Sequence, residues 1–299
     1  MWVFLMRPMQ LRRSWLFVGA ADKDAILTSY DSDADVCIQE FEDFCVPELR
    51  REARLMMPDV LSDWKARQIV ATVRINPLEE PDGLRDLDAA IHAGADAILL
   101  PKANTKEQIN LLQKHVNEIE KRYGRSARST AIIPNIEQAR GLMNVMDVLS
   151  SSPQIAGALV ASEDMAVSLN APRQKNSEIL NHVRSMFHIA CCSVGITSID
   201  MPYTFTDDEG VRQQTIFAKD IGMVAKSTVN ASHCAIINEI LTPNEHEVEN
   251  AIEMISAFEN GRNSGEGQVI FNGTKIEIPT YLNAKQIVER FESLLYYGS

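Results

Sequence analysis

Between residues 14 and 230, eight short runs rich in Val, Ile and Leu alternate with polar segments, most of which carry helical spacing. In order they are "SWLFVGA", "VCIQEFED", "IVATVRIN", "AILLPKA", "TAIIPNIE", "AGALVASED", "CSVGITSIDMP" and "MVAKSTVN". Near-continuous apolar runs of this length are what parallel strands buried on both faces look like. Eight of them alternating with helices predict an α/β fold, a closed (β/α)8 TIM-type barrel over residues 9–240. The competing arrangement is an open doubly wound sheet. Against it, the first run is not followed by G-x-G-x-x-G, and no Walker A loop occurs anywhere. The runs share a pattern but not residues, so they are not a sequence repeat.

The texture changes after the eighth run, and residues 241–299 read as a C-terminal helix-hairpin-helix extension. "TPNEHEVENAIEMISAF" predicts a helix with Thr242 as N-cap, Pro243 at the first helical position and Glu245 completing a capping box. That helix is expected to stop near Asn260 and Gly261. In "QVIFNGTKIEIP", Asn272 and Gly273 separate two alternating runs, the signal for a hairpin with a type I′ turn. The alternation puts Ile276 and Ile278 on one face and Glu277 on the other. A final amphipathic helix is expected over residues 281–297. At the other end, residues 1–8 read as a tail, with Met9 as an alternative start.

With 45% hydrophobic and 23% charged residues among 299, the chain can bury a sizeable core. The formal net charge of -12 argues against a general nucleic-acid-binding surface. It leaves room for a small anionic ligand, because a few local arginines outweigh a screened global field. The five cysteines, Cys37, Cys45, Cys191, Cys192 and Cys234, show no C-x-x-C spacing and read as buried free thiols in a reducing compartment. "MWVFLM" is too short for a signal segment, and no run reaches the length of a membrane span. A cytoplasmic protein that acts without membrane or nucleic acid is expected.

In a (β/α)8 barrel the C-terminal strand ends floor the active site, so the polar residues there carry the chemistry. The second run ends in Glu40, Glu42 and Asp43, the third in Arg74 and Asn76, the fourth in Lys102. The fifth ends in Glu137 and the sixth in Glu163 and Asp164. Carboxylates on neighbouring strands with an arginine and a lysine beside them suit a hard divalent cation and an anionic substrate. Taken singly, each has a plainer role: Glu137 or Asp164 as a helix N-cap, Arg74 as a salt-bridge partner, Lys102 as solvated rim. Glu42 and Asp43 have Arg50, Arg51 and Arg54 as alternative partners in the next helix. Their coincidence at one end of one barrel favours a site, since burying several charges unpaired is costly. The histidines form no metal cluster; His233, after the eighth run, is the one kept in view. No G-x-S-x-G elbow supports acyl chemistry through a serine.

With these residues in place, the chain resembles the citrate lyase beta subunit-like family, which includes malyl-CoA and citramalyl-CoA lyases. The resemblance runs from Arg13 to about Val288. It rests on "RSWLFV" at 13–18, "EFED" at 40–43, "VRINPL" at 73–78, "GADAILLPKA" at 94–103, "NIEQARGLMN" at 135–144, "SEDMA" at 162–166, "DDEG" at 207–210 and "NGTKIEIP" at 272–279. It implies a barrel, usually trimeric, whose extension closes as a lid over a neighbouring subunit's site. It implies a Mg2+-dependent carbon-carbon lyase that cleaves a short 3-hydroxyacyl-CoA of the citramalyl-CoA or malyl-CoA type. The products would be acetyl-CoA and a 2-oxo acid, pyruvate or glyoxylate. By the same resemblance, Glu137 and Asp164 hold the metal and Arg74 holds the oxo-acid oxygens. Glu42, Asp43 and Glu277 join Arg74 as catalytic candidates, Glu277 as a proton carrier where the family usually has aspartate. Arg13, Lys102, Glu163 and Asn230 match positions that meet the substrate or its CoA. Departures are the missing proline in "GAADK", Glu40 for aspartate, Asn170 for glycine, and Asn230-Ala231 where His-Pro is usual. The alternatives are a citrate lyase beta subunit using an acyl-carrier thioester, a malyl-CoA thioesterase, and a barrel that binds acyl-CoA or a partner without turnover.

Overall fold

The structure is a computed structural model describing residues 7–265 and 267–298. These fall into two compact units that divide after Leu241. The first is a closed barrel of eight parallel strands in sequential order: β1 (Ser14–Gly19), β2 (Val36–Glu40), β3 (Val70–Arg74), β4 (Ala97–Leu100), β5 (Ala131–Ile136), β6 (Gly157–Val160), β7 (Thr197–Tyr203) and β8 (Ala225–Thr228). Each lies in one of the eight apolar runs, save that β7 reaches one residue past its run, to Tyr203. Around them run α1 (Lys23–Ser29), α2 (Arg50–Ala66), α3 (Pro81–His92), α4 (Lys106–Arg122), α5 (Ala139–Met143), α6 (Val145–Leu149), α7 (Glu163–Ser168), α8 (Glu178–Val194), α9 (Asp208–Asp220) and α10 (His233–Leu241).

The two-residue period of a strand divides the core into two layers. Trp15, Phe17, Val36, Ile38, Leu99, Ile133 and Leu159 fill the barrel interior. Their neighbours Leu16, Val18, Cys37, Val73, Ile98, Ile132 and Val160 face the helices. Continuing the inward parity to the C-terminal strand ends brings Glu40 after Ile38, Arg74 after Val70 and Thr72, and Glu137 after Ile133 and Asn135. The β2–β3 register makes Glu40 and Arg74 direct partners. Site residues are thus delivered by the same alternation that packs the core.

At the N-terminal strand ends the barrel is closed differently. Arg13, just before β1, donates through its main-chain N–H and Nε to Asp35 Oδ2 at 2.7 and 2.9 Å, and Arg7 meets Asp35 Oδ1 at 2.9 Å. The Met9 side chain lies against Gly157, where an added Cβ would come within 2.3 Å of it. Of the tail read over residues 1–8, residues 1–6 lie outside the described residues. Four cysteines are buried free thiols as read, but Cys192 is exposed, because it falls on the solvent side of α8. No described helix is long and apolar enough to cross a membrane.

The second unit comprises α11 (Glu245–Asn263), β9 (Val269–Phe271), β10 (Thr274–Ile276) and α12 (Ile278–Gly298). The expected N-cap is displaced by two residues. Asn244, not Thr242, caps α11: its Oδ1 accepts from Glu247 N at 2.8 Å, and Glu247 Oε2 accepts from Asn244 N at 2.8 Å. Both registers satisfy the capping-box spacing, and Pro243, with no N–H to give, is left outside the helix. The hairpin turn is as expected, with Asn272 and Gly273 both at positive φ (48° and 75°), as a type I′ turn requires. Ile276 packs with Phe258 and Val269. Ile278 does not share its face: β10 ends at Ile276, and Ile278 opens α12 exposed to solvent.

Candidate active site

Arg74 is the centre of a cluster at the C-terminal mouth of the barrel. Its Nε donates to Glu40 Oε1 at 2.8 Å, its Nη2 to Asp43 Oδ2 at 2.8 Å and its Nη1 to Glu137 Oε1 at 3.2 Å. Glu42 Oε2 lies 3.4 Å from the same Nη1. The guanidinium stands 5.1 Å from the Phe17 ring centroid. Burial alone would lower the Arg74 pKa, but the carboxylates of Glu40, Glu137 and Glu42 reverse that and hold it above its usual value. Arg74 therefore remains a fixed positive charge in the barrel.

Glu137 ends β5 fully buried. Its Oε2 accepts the Lys102 main-chain N–H at 3.0 Å and its Oε1 the Asn135 side-chain amide at 3.2 Å. Lys102 makes the first bond from a left-handed backbone (φ 48°), costly for a residue with a Cβ and typical of functional sites. Burial pushes the Glu137 carboxyl up to about 7; Arg74 opposes the shift, and Glu42 and Asp164 add to it. Glu42 is also raised, chiefly by burial, while Arg74 and Lys102 pull it down. Its Oε1 accepts from Lys102 Nζ, and its Oε2 is buried without a hydrogen bond.

These groups border a cavity of about 100 Å³ lined by Phe17, Arg74, Glu137, Leu159, Asp164 and Val229, among others. Asp164 is half-buried and faces this cavity from the first turn of α7. No hydrogen bond or ion pair involves its carboxylate among the described residues. Among those residues, no group of three His, Cys, Asp or Glu side chains is close enough to hold a metal ion. Two carboxylates, Glu137 and Asp164, line the same cavity and offer hard oxygens. That is the protein contribution Mg2+ usually takes, with water and substrate completing its six positions.

The other expected residues divide clearly. Glu42, Asp43 and Lys102 join the cluster; the alternative partners Arg50 and Arg54 pair instead with Glu80, Asp82 and Asp86. Arg13 does not join it. It stands before β1, committed to Asp35 at the opposite end of the barrel, which corrects its assignment to the thioester. Asn230 follows β8 at the C-terminal end of the barrel, where it bonds Thr228, Ser232 and His233 Nε2 within the β8–α10 connection. Glu163 borders the cavity, but its carboxylate is taken by Arg173 and Thr204, not held free for substrate. Glu277 belongs to the second unit, exposed and 4.0 Å from Lys275 Nζ.

Glu40 is among the polar strand ends read from the sequence, with no role given to it there. It is fully buried and accepts from Arg74 Nε and from the main-chain N–H groups of Glu42 at 2.7 Å and Phe44 at 2.5 Å. One carboxylate thus fixes both the arginine and the loop that carries Glu42 and Asp43. The signal lay in its parity with Val36 and Ile38, which places a charged residue inside the barrel.

Fold and site together define a (β/α)8 barrel that gathers buried carboxylates, an arginine and a lysine around one small cavity at its C-terminal mouth. Residues 13–231 match the model of the HpcH/HpaI aldolase/citrate lyase family, and the chain belongs to that family, whose related members are lyases. The citrate lyase subunit beta of Escherichia coli K12 is 29% identical, the match covering 96% of this chain and 95% of that protein. The L-malyl-CoA/beta-methylmalyl-CoA lyase of Rhodobacter capsulatus is also 29% identical, over 95% and 96% of the two chains. Among solved structures, the Mycobacterium tuberculosis protein CitE, in complex with magnesium, acetoacetate and coenzyme A, aligns with a TM-score of 0.76. The identity is 22%, and the alignment covers 94% of this chain and 98% of that one.

Proposed function

We propose that the protein cleaves a short 3-hydroxyacyl-CoA, of the citramalyl-CoA or malyl-CoA type, into acetyl-CoA and a 2-oxo acid, with Mg2+ held by Glu137 and Asp164. The observation that carries this reading is the pairing of the buried Arg74–Glu137 contact with the unpartnered Asp164 across one small cavity. When bound there, the metal supplies Lewis-acid polarisation of the substrate oxygens. Arg74 holds the carboxylate end of the oxo-acid portion and stabilises negative charge as the carbon-carbon bond breaks. Phe17, Leu159 and Val229 give that portion an apolar wall and keep water from it.

Glu42, buried with one oxygen free of hydrogen bonds, takes the proton of the substrate hydroxyl. The C–O bond becomes a carbonyl, and the electrons of the broken carbon-carbon bond pass to the thioester enolate. A proton returned to the enolate carbon completes acetyl-CoA. Glu277 is the donor we assign, delivered by the extension of a neighbouring copy in a homotrimer. Its carboxylate is exposed and tied only loosely, to Lys275.

The test is release of pyruvate or glyoxylate from citramalyl-CoA and malyl-CoA, with and without Mg2+, by the native protein and Glu137→Ala. Metal-dependent release that vanishes in the variant supports the proposal and identifies the better substrate. A second reading is favoured by the full-length similarity to citrate lyase beta subunits: the same bond cleavage on a thioester carried by an acyl carrier protein. No release from either CoA ester, with release from a carrier-bound citryl thioester, would establish that reading instead.

A further inference from the structure

Glu163 and Asp164 are consecutive residues in the first turn of α7, yet their carboxylates are treated in opposite ways. Asp164 is left unpartnered, whereas Glu163 is saturated. Thr204 Oγ1 donates to Glu163 Oε1, and Arg173 Nε reaches both carboxylate oxygens at 3.0 and 3.1 Å. Arg173 Nη2 also donates to the carbonyl and hydroxyl oxygens of Thr204 at 3.2 and 3.1 Å. Its guanidinium lies 4.2 Å from the Phe205 ring centroid.

The attachment is reinforced two residues on. Lys175 Nζ donates to Asp207 Oδ2 at 2.7 Å, and the same oxygen accepts the Tyr203 hydroxyl at 2.7 Å. Asn170, at φ 53°, ends α7 in the left-handed conformation, at the point where the chain turns into this connection. The connection between α7 and α8 is therefore bound to the exit of β7 at two successive points, and the start of α7 is bound to the first.

α7 needs such an anchor. It has six residues, too few for a self-supporting helix, and Ser162 at its N-cap makes no capping hydrogen bond. We propose that Arg173, Glu163 and Thr204 form a latch that locks the first turn of α7 to the β7 exit and so sets Asp164 as the second carboxylate of the cation site. Glu163 is then a positioning residue. The inference rests on the metal reading above and adds the element that orders the site's more exposed half. Partners that orient metal-binding side chains change affinity by about 10- to 100-fold when removed.

Calorimetric titration of Mg2+, with thermal melts alongside, tests the latch in the full chain. Arg173→Met is expected to melt near the native protein while its Mg2+ Kd rises about 10-fold or more; Arg173→Lys, which keeps a cation for Glu163, should recover part of the loss. Thr204→Val leaves the ion pair and should weaken Mg2+ by a smaller factor, which also covers failure of Arg173→Met to fold. Adding Glu163→Gln to Arg173→Met should cost little more, since both break one unit. Native Mg2+ affinity in folded Arg173→Met and Thr204→Val would overturn the latch and leave the cation site standing. A native protein that takes up Mg2+ no better than Asp164→Ala would overturn both.

Discussion

Two buried arginines, Arg74 and Arg184, show how differently one barrel uses ionised groups. Arg74 and Lys102 face Glu40, Glu42, Asp43 and Glu137, with Asp164 across the cavity. Arg184 on α8 and Lys226 on β8 share a single carboxylate, Asp200 on β7, at 2.6 Å each. Their remaining donors go to Gln214, Asn181 and the Met201 carbonyl. The first cluster lies at the mouth with negative charge in excess. The second lies between barrel and helices, on the outward parity of β7 and β8, with all five guanidinium donors of Arg184 engaged. Excess negative charge facing a cavity suits a cationic ligand, whereas the cluster around Asp200 serves to tie β7, β8 and α8 together.

The largest test of this contrast is Asp200→Ala. It leaves two cations buried without a carboxylate and should cost about 3–5 kcal/mol in chemical denaturation. Glu137→Gln should do the reverse in kind: turnover falls about a hundredfold or more, while the melting temperature stays level or rises, because a buried charge is removed from an acidic cluster.

The pH dependence of stability in metal-free protein should differ in sign between the clusters. Burial raises Glu137 from 4.5 to about 7, so the folded state keeps a proton the unfolded chain has lost. Stability should fall by about 3 kcal/mol as pH rises through that window, and the slope should flatten in Glu137→Gln. Burial lowers Lys226 below its ordinary 10.5, so here the unfolded chain holds the extra proton. Stability should rise with pH toward 10.5, and Lys226→Met should remove the rise. The smallest effect belongs to Asp43→Asn. That side chain is half exposed, so its loss should change stability by less than about 1 kcal/mol.

The fold was legible because parallel strands buried on both faces leave unbroken apolar runs, and each of the eight runs marks a strand. Arg74, Glu137 and Asp164 were legible as candidates because each stands at the C-terminal end of such a run. Arg13 was misplaced for a related reason: it adjoins a run too, but at its beginning, and strand direction decides which end of the barrel a residue reaches. The Arg184–Asp200–Lys226 cluster left no trace, since Lys226 sits inside the run "MVAKSTVN" and its partners come from distant elements. The latch was hidden in the same way, because Arg173 lies in a connection whose path only the folded chain reveals. Asn244 displaced Thr242 because two overlapping capping boxes fit one stretch of sequence.

Closure of the barrel has a consequence for self-association. Every strand from β1 to β8 is hydrogen-bonded on both sides, so that unit offers no open edge on which another chain could add a strand. Among the described residues, open edges belong only to β9 and β10. Each is three residues long, and the exposed Lys275 guards β10. Edge-to-edge aggregation of the folded protein therefore has one narrow point of entry, in the extension, and it is a poor one.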